Sequence, residues 1–304
     1  MIVQIYEIQT PGEAEGCIEA GVDHIGGVIP DKREWKQPVI RDAIRVSQGT
    51  KVKNSVIPLF DNMDAIFRSL DYYQPDFIHF CDTLTDEDGD EVDLEKYINI
   101  QRETRKRFPE IKIIRSIPIP VDGKGKDFPA LSIAKKIEEV SDMFLTDTWL
   151  GKEPVKGFIG ITGQQCDRGL AKDLVKASKI PVILAGGLSP ENVYDSLVEI
   201  APAGADSCTL TNKRDEEGKP IRFKKDFSRV RRFVEETRRA QELLGDEKER
   251  LKKEIASLKE RLRDREADFT AHSIRPNRIQ PIDELEDEIA QKERLLKDKK
   301  GQYK

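Results

Sequence analysis

The chain has 304 residues, with 52 Lys and Arg against 57 Asp and Glu, a formal charge of −5 and a hydrophobic fraction of 37%. That length suits one large domain with an addition, or two domains of about 150 residues. The acidic balance lacks the concentrated Lys/Arg footprint of a nucleic-acid binder, and no apolar run approaches the roughly 18 residues that span a bilayer, so nucleic-acid and membrane roles are set aside.

The opening segment MIVQIYEIQ lacks the basic and long apolar regions of a secretion signal, and the chain is read as cytoplasmic. Cys17, Cys81, Cys166 and Cys208 are scattered without a CxxC pair and are read as free thiols. In chain order, strands are predicted at IVQIYEI, HIGGVI, VKNSVIPLF, DFIHF, IKIIRSIPI, DMFLTD, IPVILA and ADSCTL. Helical stretches such as GEAEGCIEAGV, MDAIFRSLDYY and SPENVYDSLVEIA separate them. Runs this rich in Ile and Val suit strands buried on both faces. About eight strand–helix units in about 230 residues predict a (β/α)8 TIM barrel. A doubly wound open sheet is the structural alternative, but the turn after the first strand reads EIQTPGEAEG rather than GxGxxG.

The composition changes near residue 235: residues 235–304 hold 18 acidic and 18 basic side chains. Leu244, Leu251, Ile255, Leu258 and Leu262 form an a/d seam, repeated by Ile282, Leu285, Ile289 and Leu296. Pro276 and Pro281 in the intervening HSIRPNRIQP forbid one continuous helix. The expectation is a barrel over 1–236 and a C-terminal α-helical hairpin or coiled-coil extension over 237–304. Its narrow apolar stripes call for packing on each other, on the barrel, on a second copy or on a partner protein. His272, Arg275 and Arg278 in the loop are noted as candidate anion ligands.

In a barrel, chemistry sits beyond the C-terminal ends of the strands and phosphate beside the last of them. Gly160, Thr162 and Gly163 follow the sixth strand, Gly186 and Gly187 the seventh, and Thr209 and Thr211 the eighth. Glycines let backbone N–H groups approach phosphate oxygens, and Ser189-Pro190 opens a helix whose N-terminus adds its dipole. A phosphorylated small-molecule substrate is therefore expected. With three histidines and no HExxH, neither metal nor cofactor is expected.

LAGGLSPENV (184–193) resembles the seventh-strand signature of the phosphoribosylanthranilate isomerase family. EAGVDHIGGVI (19–29), DMFLTD (142–147), GITGQQCD (160–167) and KDFSRVRRFV (225–234) extend the resemblance over roughly residues 2–234. It implies an Amadori rearrangement, in which an aminoaldose phosphate becomes an aminoketose by acid-assisted ring opening and removal of the proton on the sugar's second carbon. It also implies that Asp147 is the general acid. Where the family carries Lys-Ile-Cys-Gly, its cysteine the base, this chain reads Gln4-Ile5-Tyr6-Glu7; where the family carries Gln-Leu-His-Gly, it reads His79-Phe80-Cys81-Asp82. The base is thus sought among Glu7, Tyr6 and His79. A phenol near its ordinary ~10 is a poor base; Glu7 is chemically better but points to the opposite side of a regular strand from Tyr6, unless the strand's end twists to present it. Arg33 in PDKREW is the candidate for a substrate carboxylate, suited by its fork of donors. The alternatives are the same barrel acting on another phosphorylated substrate, and a non-catalytic phosphate-binding or assembly module that uses the helical tail.

Overall fold

The computed structural model describes residues 1–271 and 280–300. Eight strands close a parallel barrel in sequential order. They are β1 (Ile2–Tyr6), β2 (His24–Ile29), β3 (Lys53–Pro58), β4 (Phe77–Phe80), β5 (Lys112–Pro120), β6 (Met143–Trp149), β7 (Val182–Leu184) and β8 (Gly204–Ser207). Between them run α1 (Pro11–Glu19), α2 (Pro38–Ser47), α3 (Met63–Tyr73), α4 (Glu95–Arg107), α5 (Ala130–Ile137), α6 (Arg168–Ala177) and α7 (Val193–Ile200). The predicted TIM barrel is therefore the fold. Several helices start as their sequences dictate: Thr10 and Pro11 open α1, Asn62 caps α3 through the Ala65 amide, and Asp167 caps α6 through the Leu170 amide.

The end of the barrel away from the strand C-termini shows a repeated device. Asp23, Asp76 and Asp142 immediately precede or nearly precede β2, β4 and β6, and each accepts a backbone N–H from the preceding strand, at Val3 (2.7 Å), Asn54 (3.0 Å) and Ile113 (2.8 Å). Each carboxylate so satisfies a donor that the first residues of a strand would otherwise leave to water. Inside the barrel, side chains from alternate positions fill the interior, among them Met143, Leu145, Ile183 and Ala185. The outward-facing set, including Val3, Ile5, Phe144 and Leu184, packs under the helices.

Two elements depart from the sequence reading. β8 ends at Ser207 rather than running to Leu210, because the chain turns there into a short 3-10 turn at Thr209–Thr211. A two-stranded antiparallel ribbon follows, β9 (Asn212–Arg214) and β10 (Pro220–Lys225), which the sequence reading did not anticipate.

α8 (Phe227–Ala271) is one continuous helix shared by barrel and extension. Its first turns pack on α7 and α1, with the Phe227 ring lying where a side chain on Gly16 would sit. Arg238 reaches the Met1 carbonyl and the Asp23 carboxylate, so by that residue the helix has arrived at the N-terminal end of the barrel. The remaining turns after Gly245 project about 40 Å beyond it at 1.5 Å per residue. α9 (Gln280–Lys300) returns along α8. Leu258, Leu285 and Ile289 are buried between the two helices with Leu262 against them, and Lys292–Glu254 and Lys259–Glu293 flank that seam. The helical hairpin and its a/d packing are thus present; His272, Arg275 and Arg278 lie outside the described residues. Among the described residues no helix is long and apolar enough to cross a membrane.

Candidate active site

The open mouth at the C-terminal ends of the strands is one cavity. Its floor and wall include Tyr6, Glu7, His79, Cys81, Asp147, Asp206 and Cys208, and its far side is Gly160–Gly163, Ala185–Leu188 and Thr209. Thr211 is buried behind this lining and hydrogen-bonds the Cys208 carbonyl.

The glycine-rich side is a construction of two loops leaning on each other. Gly187 has φ +61°, and a Cβ there would stand 2.5 Å from the Gln164 carbonyl carbon; on Gly186, φ +94°, it would meet Thr148 Oγ1 at 2.3 Å. Glycine is required by these neighbours and by the positive φ before any ligand is considered. Thr148 Oγ1 donates to the Gln164 carbonyl at 2.7 Å and fixes the approach. The following turn, Ser189–Asn192, is tied by Ser189 N–H donating to Asn192 Oδ1 (2.8 Å), and α7 begins at Val193, three residues later than a Ser189 cap would start it.

Asp147 sits two residues before the end of β6, beside this cradle. A Cβ on Gly160, φ +112°, would lie 2.6 Å from its Oδ2, so only glycine leaves room for the carboxyl. Burial pushes the Asp147 carboxyl up to about 7; the Thr148 amide, donating to Oδ1 at 2.9 Å, acts against that, and Glu153 adds to it. A second carboxyl shares the cavity. Asp206 on β8 is 7% exposed and is pushed up to about 8 by burial, relieved by Gln4 and reinforced by Asp147. Gln4 Nε2 donates to its Oδ1 at 3.2 Å. The Thr146 hydroxyl bonds both the N–H and the carbonyl of Ala185, at 2.8 and 3.0 Å, and so inserts into the ladder between β6 and β7 next to the two acids.

The three residues considered as base have other attachments. The Tyr6 ring lies over Gly26, where a Cβ would meet it at 1.9 Å. Ser55 Oγ donates to Tyr6 Oη at 3.2 Å, and Tyr6 Oη stands 2.7 Å from His79 Nδ1. His79 Nε2 is 2.8 Å from Ser116 Oγ. Burial raises the Tyr6 phenol well above its ordinary value and lowers His79 to about 3, with Arg115 adding to the latter. A neutral imidazole accepting from Tyr6 and donating to Ser116 satisfies the whole chain. Glu7 has φ +64° at the position where the resembled family carries glycine, so β1 ends at Tyr6 and the Glu7 side chain turns into the mouth wall instead of alternating outward. It accepts from Asn212 Nδ2 at 2.9 Å and from Arg222 Nε at 2.8 Å. Burial works to raise its carboxyl, but Asn212, Lys225 and Arg222 together hold it below the usual range. Buried Lys225 completes this set by donating to Asn212 Oδ1 and to the Cys208 carbonyl. The ribbon β9–β10 is anchored to β1 by these contacts.

Arg33 is not brought to the mouth. Its side chain is 83% exposed and forks onto Asp31, lining a separate groove with Lys156 and Phe158. Asp82 also turns away and pairs at 2.8 Å with Arg115, which is wholly buried against the rings of Phe80 and Tyr97. Asp206, Lys225 and Arg222 were missed in the sequence: Asp206 lies among small residues in ADSCTL, and the two cations fall in a charged stretch that reads as surface. Among the described residues no three His, Cys, Asp or Glu side chains are grouped to hold a metal ion.

No known protein-family profile matches the chain. It is similar to the N-(5′-phosphoribosyl)anthranilate isomerase of Methanocella arvoryzae, 28% identical over 245 residues, which is 78% of this chain and 97% of the relative. The enzyme of the same name from Methanosarcina acetivorans is 22% identical over 241 residues, 78% and 92% of the two chains. Among solved structures, N-(5′-phosphoribosyl)anthranilate isomerase from Pyrococcus furiosus superposes with a TM-score of 0.56 at 18% identity, covering 79% of this chain and 99% of that one.

Proposed function

We propose that this chain, a divergent relative of the phosphoribosylanthranilate isomerases, is an isomerase that performs an Amadori rearrangement on N-(5′-phosphoribosyl)anthranilate. The observation that carries the reading is Asp147, a carboxyl raised to about 7 and lodged against Gly160 in the same mouth as the glycine cradle. A carboxylic acid that keeps its proton near neutrality is suited to protonate a ring oxygen as the sugar opens. The cradle of Gly186, Gly187 and Gly163, with Gly160, Thr162 and Thr209 around it, receives the phosphate and fixes the sugar over the acid. Phosphate binding contributes equally to ground and transition states, whereas the acid contributes in the transition state alone.

Asp147→Asn is therefore expected to lower kcat by about 100-fold or more while the affinity for inorganic phosphate stays within about twofold. Product formation from N-(5′-phosphoribosyl)anthranilate and calorimetric titration with phosphate read the two effects separately. Equal loss of both would overturn the assignment. A second reading, the same barrel acting on another phosphorylated aminoaldose, is favoured by Arg33, which pairs with Asp31 away from the mouth. A panel of such sugars lacking the carboxylate distinguishes it, because this reading requires at least one to turn over faster than N-(5′-phosphoribosyl)anthranilate. For residues 237–304 the proposed role is assembly, with a second copy or a partner protein, since the hairpin projects from the end of the barrel opposite the mouth.

A further inference from the structure

The base left vacant by the missing cysteine has a candidate on the strand next to β1. Continuing the registers Leu145↔Ile183 and Ile183↔Gly204 by two residues puts Asp147, Ala185 and Asp206 on one row of the barrel wall. All three face the cavity. The two acids are then two strands apart, with Cα atoms on the order of 10 Å from each other. The side chain between them is a methyl group, so the space over Ala185 is open to a sugar. Asp206 is held through one oxygen by Gln4, whose own carbonyl oxygen stands 3.3 Å from His24 Nδ1. Among the described residues no hydrogen bond reaches its other oxygen.

The neighbours are otherwise engaged. Tyr6 and His79 hydrogen-bond each other and the hydroxyls of Ser55 and Ser116, and Glu7 is tied to Arg222 and Asn212. Burial raises the thiols of Cys81 and Cys208 well above their ordinary value, and the acids around them push the same way. We propose that Asp206 is the general base of this mouth, taking the proton from the second carbon of the sugar across Ala185 from the acid Asp147. The inference rests on the isomerase reading above.

In the reaction Asp147 gives its proton to the ring oxygen as the C1–O bond breaks onto that oxygen, and the nitrogen lone pair forms the C1=N bond. Asp206, ionised in the minority form of the singly protonated pair that carries its proton on Asp147, then takes the C2 proton; the C–H pair becomes C1=C2, and the C1=N pair returns to nitrogen. Asp206 delivers that proton to C1 while the C2 hydroxyl loses its own to Asp147, which leaves the ketone and restores both carboxyls to their starting states.

The test uses the full chain and three forms: wild type, Asp206→Asn and Asp206→Ala, each checked for folding by thermal melting. With N-(5′-phosphoribosyl)anthranilate, Asp206→Asn is expected to lose about 100-fold or more in kcat, with KM and inhibition by inorganic phosphate within about threefold. Asp206→Ala is expected to regain about tenfold of its lost rate with added formate, which a purely structural role would not restore. If Asp206→Asn turns over within threefold of the wild type, the base lies elsewhere and the isomerase reading stands. If formate fails and phosphate affinity falls in step with kcat, Asp206 is a structural residue and the inference is overturned. A wild type that does not turn over this substrate overturns the isomerase reading, and the role of Asp206 with it.

Discussion

Asp147 and Asp206 are held by burial at about 7 and about 8, against an ordinary carboxylate value near ~4, so protonation and folding are linked at both. Between pH ~4 and the native values the folded state binds more protons than the unfolded one, and stability falls as pH rises through that window. Asparagine at 206 cannot ionise. Asp206→Asn is thus expected to be more stable than the wild type at pH 8 by about 1 kcal/mol or more, with the difference vanishing near pH 4. Urea midpoints at the two pH values check it, and an equal difference at both would contradict the linkage. At this scale the sequence was informative where a motif stood out: Asp147 ends FLTD and could be named. Asp206 could not, because its partner Gln4 is some 200 positions away and its desolvation exists only once β1, β7 and β8 close around it. Glu7 reaches the mouth through the end of its strand, for a physical reason. A non-glycine residue at φ +64° ends the alternation on which the strand argument depends.

The strands of the barrel were legible because each is buried on both faces and reads as an apolar run. ADSCTL overran its strand because Cys208 and Leu210 keep the apolar pattern while the backbone has already turned at Cys208, φ −115° and ψ −80°. The ribbon β9–β10 was illegible: NKR and PIRFKK are too charged to signal strands, and what holds them is the Glu7–Asn212–Lys225 set contributed from the residue after β1 and from the ribbon itself. The loop pair after β6 and β7 gives the clearest test at this scale. Gly187→Val forces a branched side chain to φ +61° and into the Gln164–Gln165 backbone. The expected result is a loss of about 2–4 kcal/mol in stability, from strain and overpacking, together with loss of phosphate binding. Thermal melting and phosphate titration read both; normal stability with normal phosphate affinity would remove the loop pair from the site.

At the scale of the whole molecule, the mouth and the hairpin lie at opposite ends of the barrel. The expected border at residue 236 falls inside α8, before Arg238 and Ala240 have made their contacts with the barrel. A chain ending at Gly245 keeps them and removes the projecting turns. It is expected to turn over within about twofold of the full chain while sedimenting as a smaller assembly; an unchanged assembly state, corrected for the mass removed, would take the assembly role away from the hairpin. The hairpin was legible because an a/d seam is a local pattern, whereas its direction away from the mouth follows from where α8 crosses the barrel. The proposed isomerase has Tyr6 at the position where the resembled family carries its base cysteine. The proposal is tested most directly by following the fluorescence of freshly generated N-(5′-phosphoribosyl)anthranilate on adding the wild-type chain, with Asp147→Asn alongside. A decay well above the uncatalysed rate is expected, and the variant should lack it; a wild type that binds phosphate and leaves the decay unchanged would overturn the isomerase proposal.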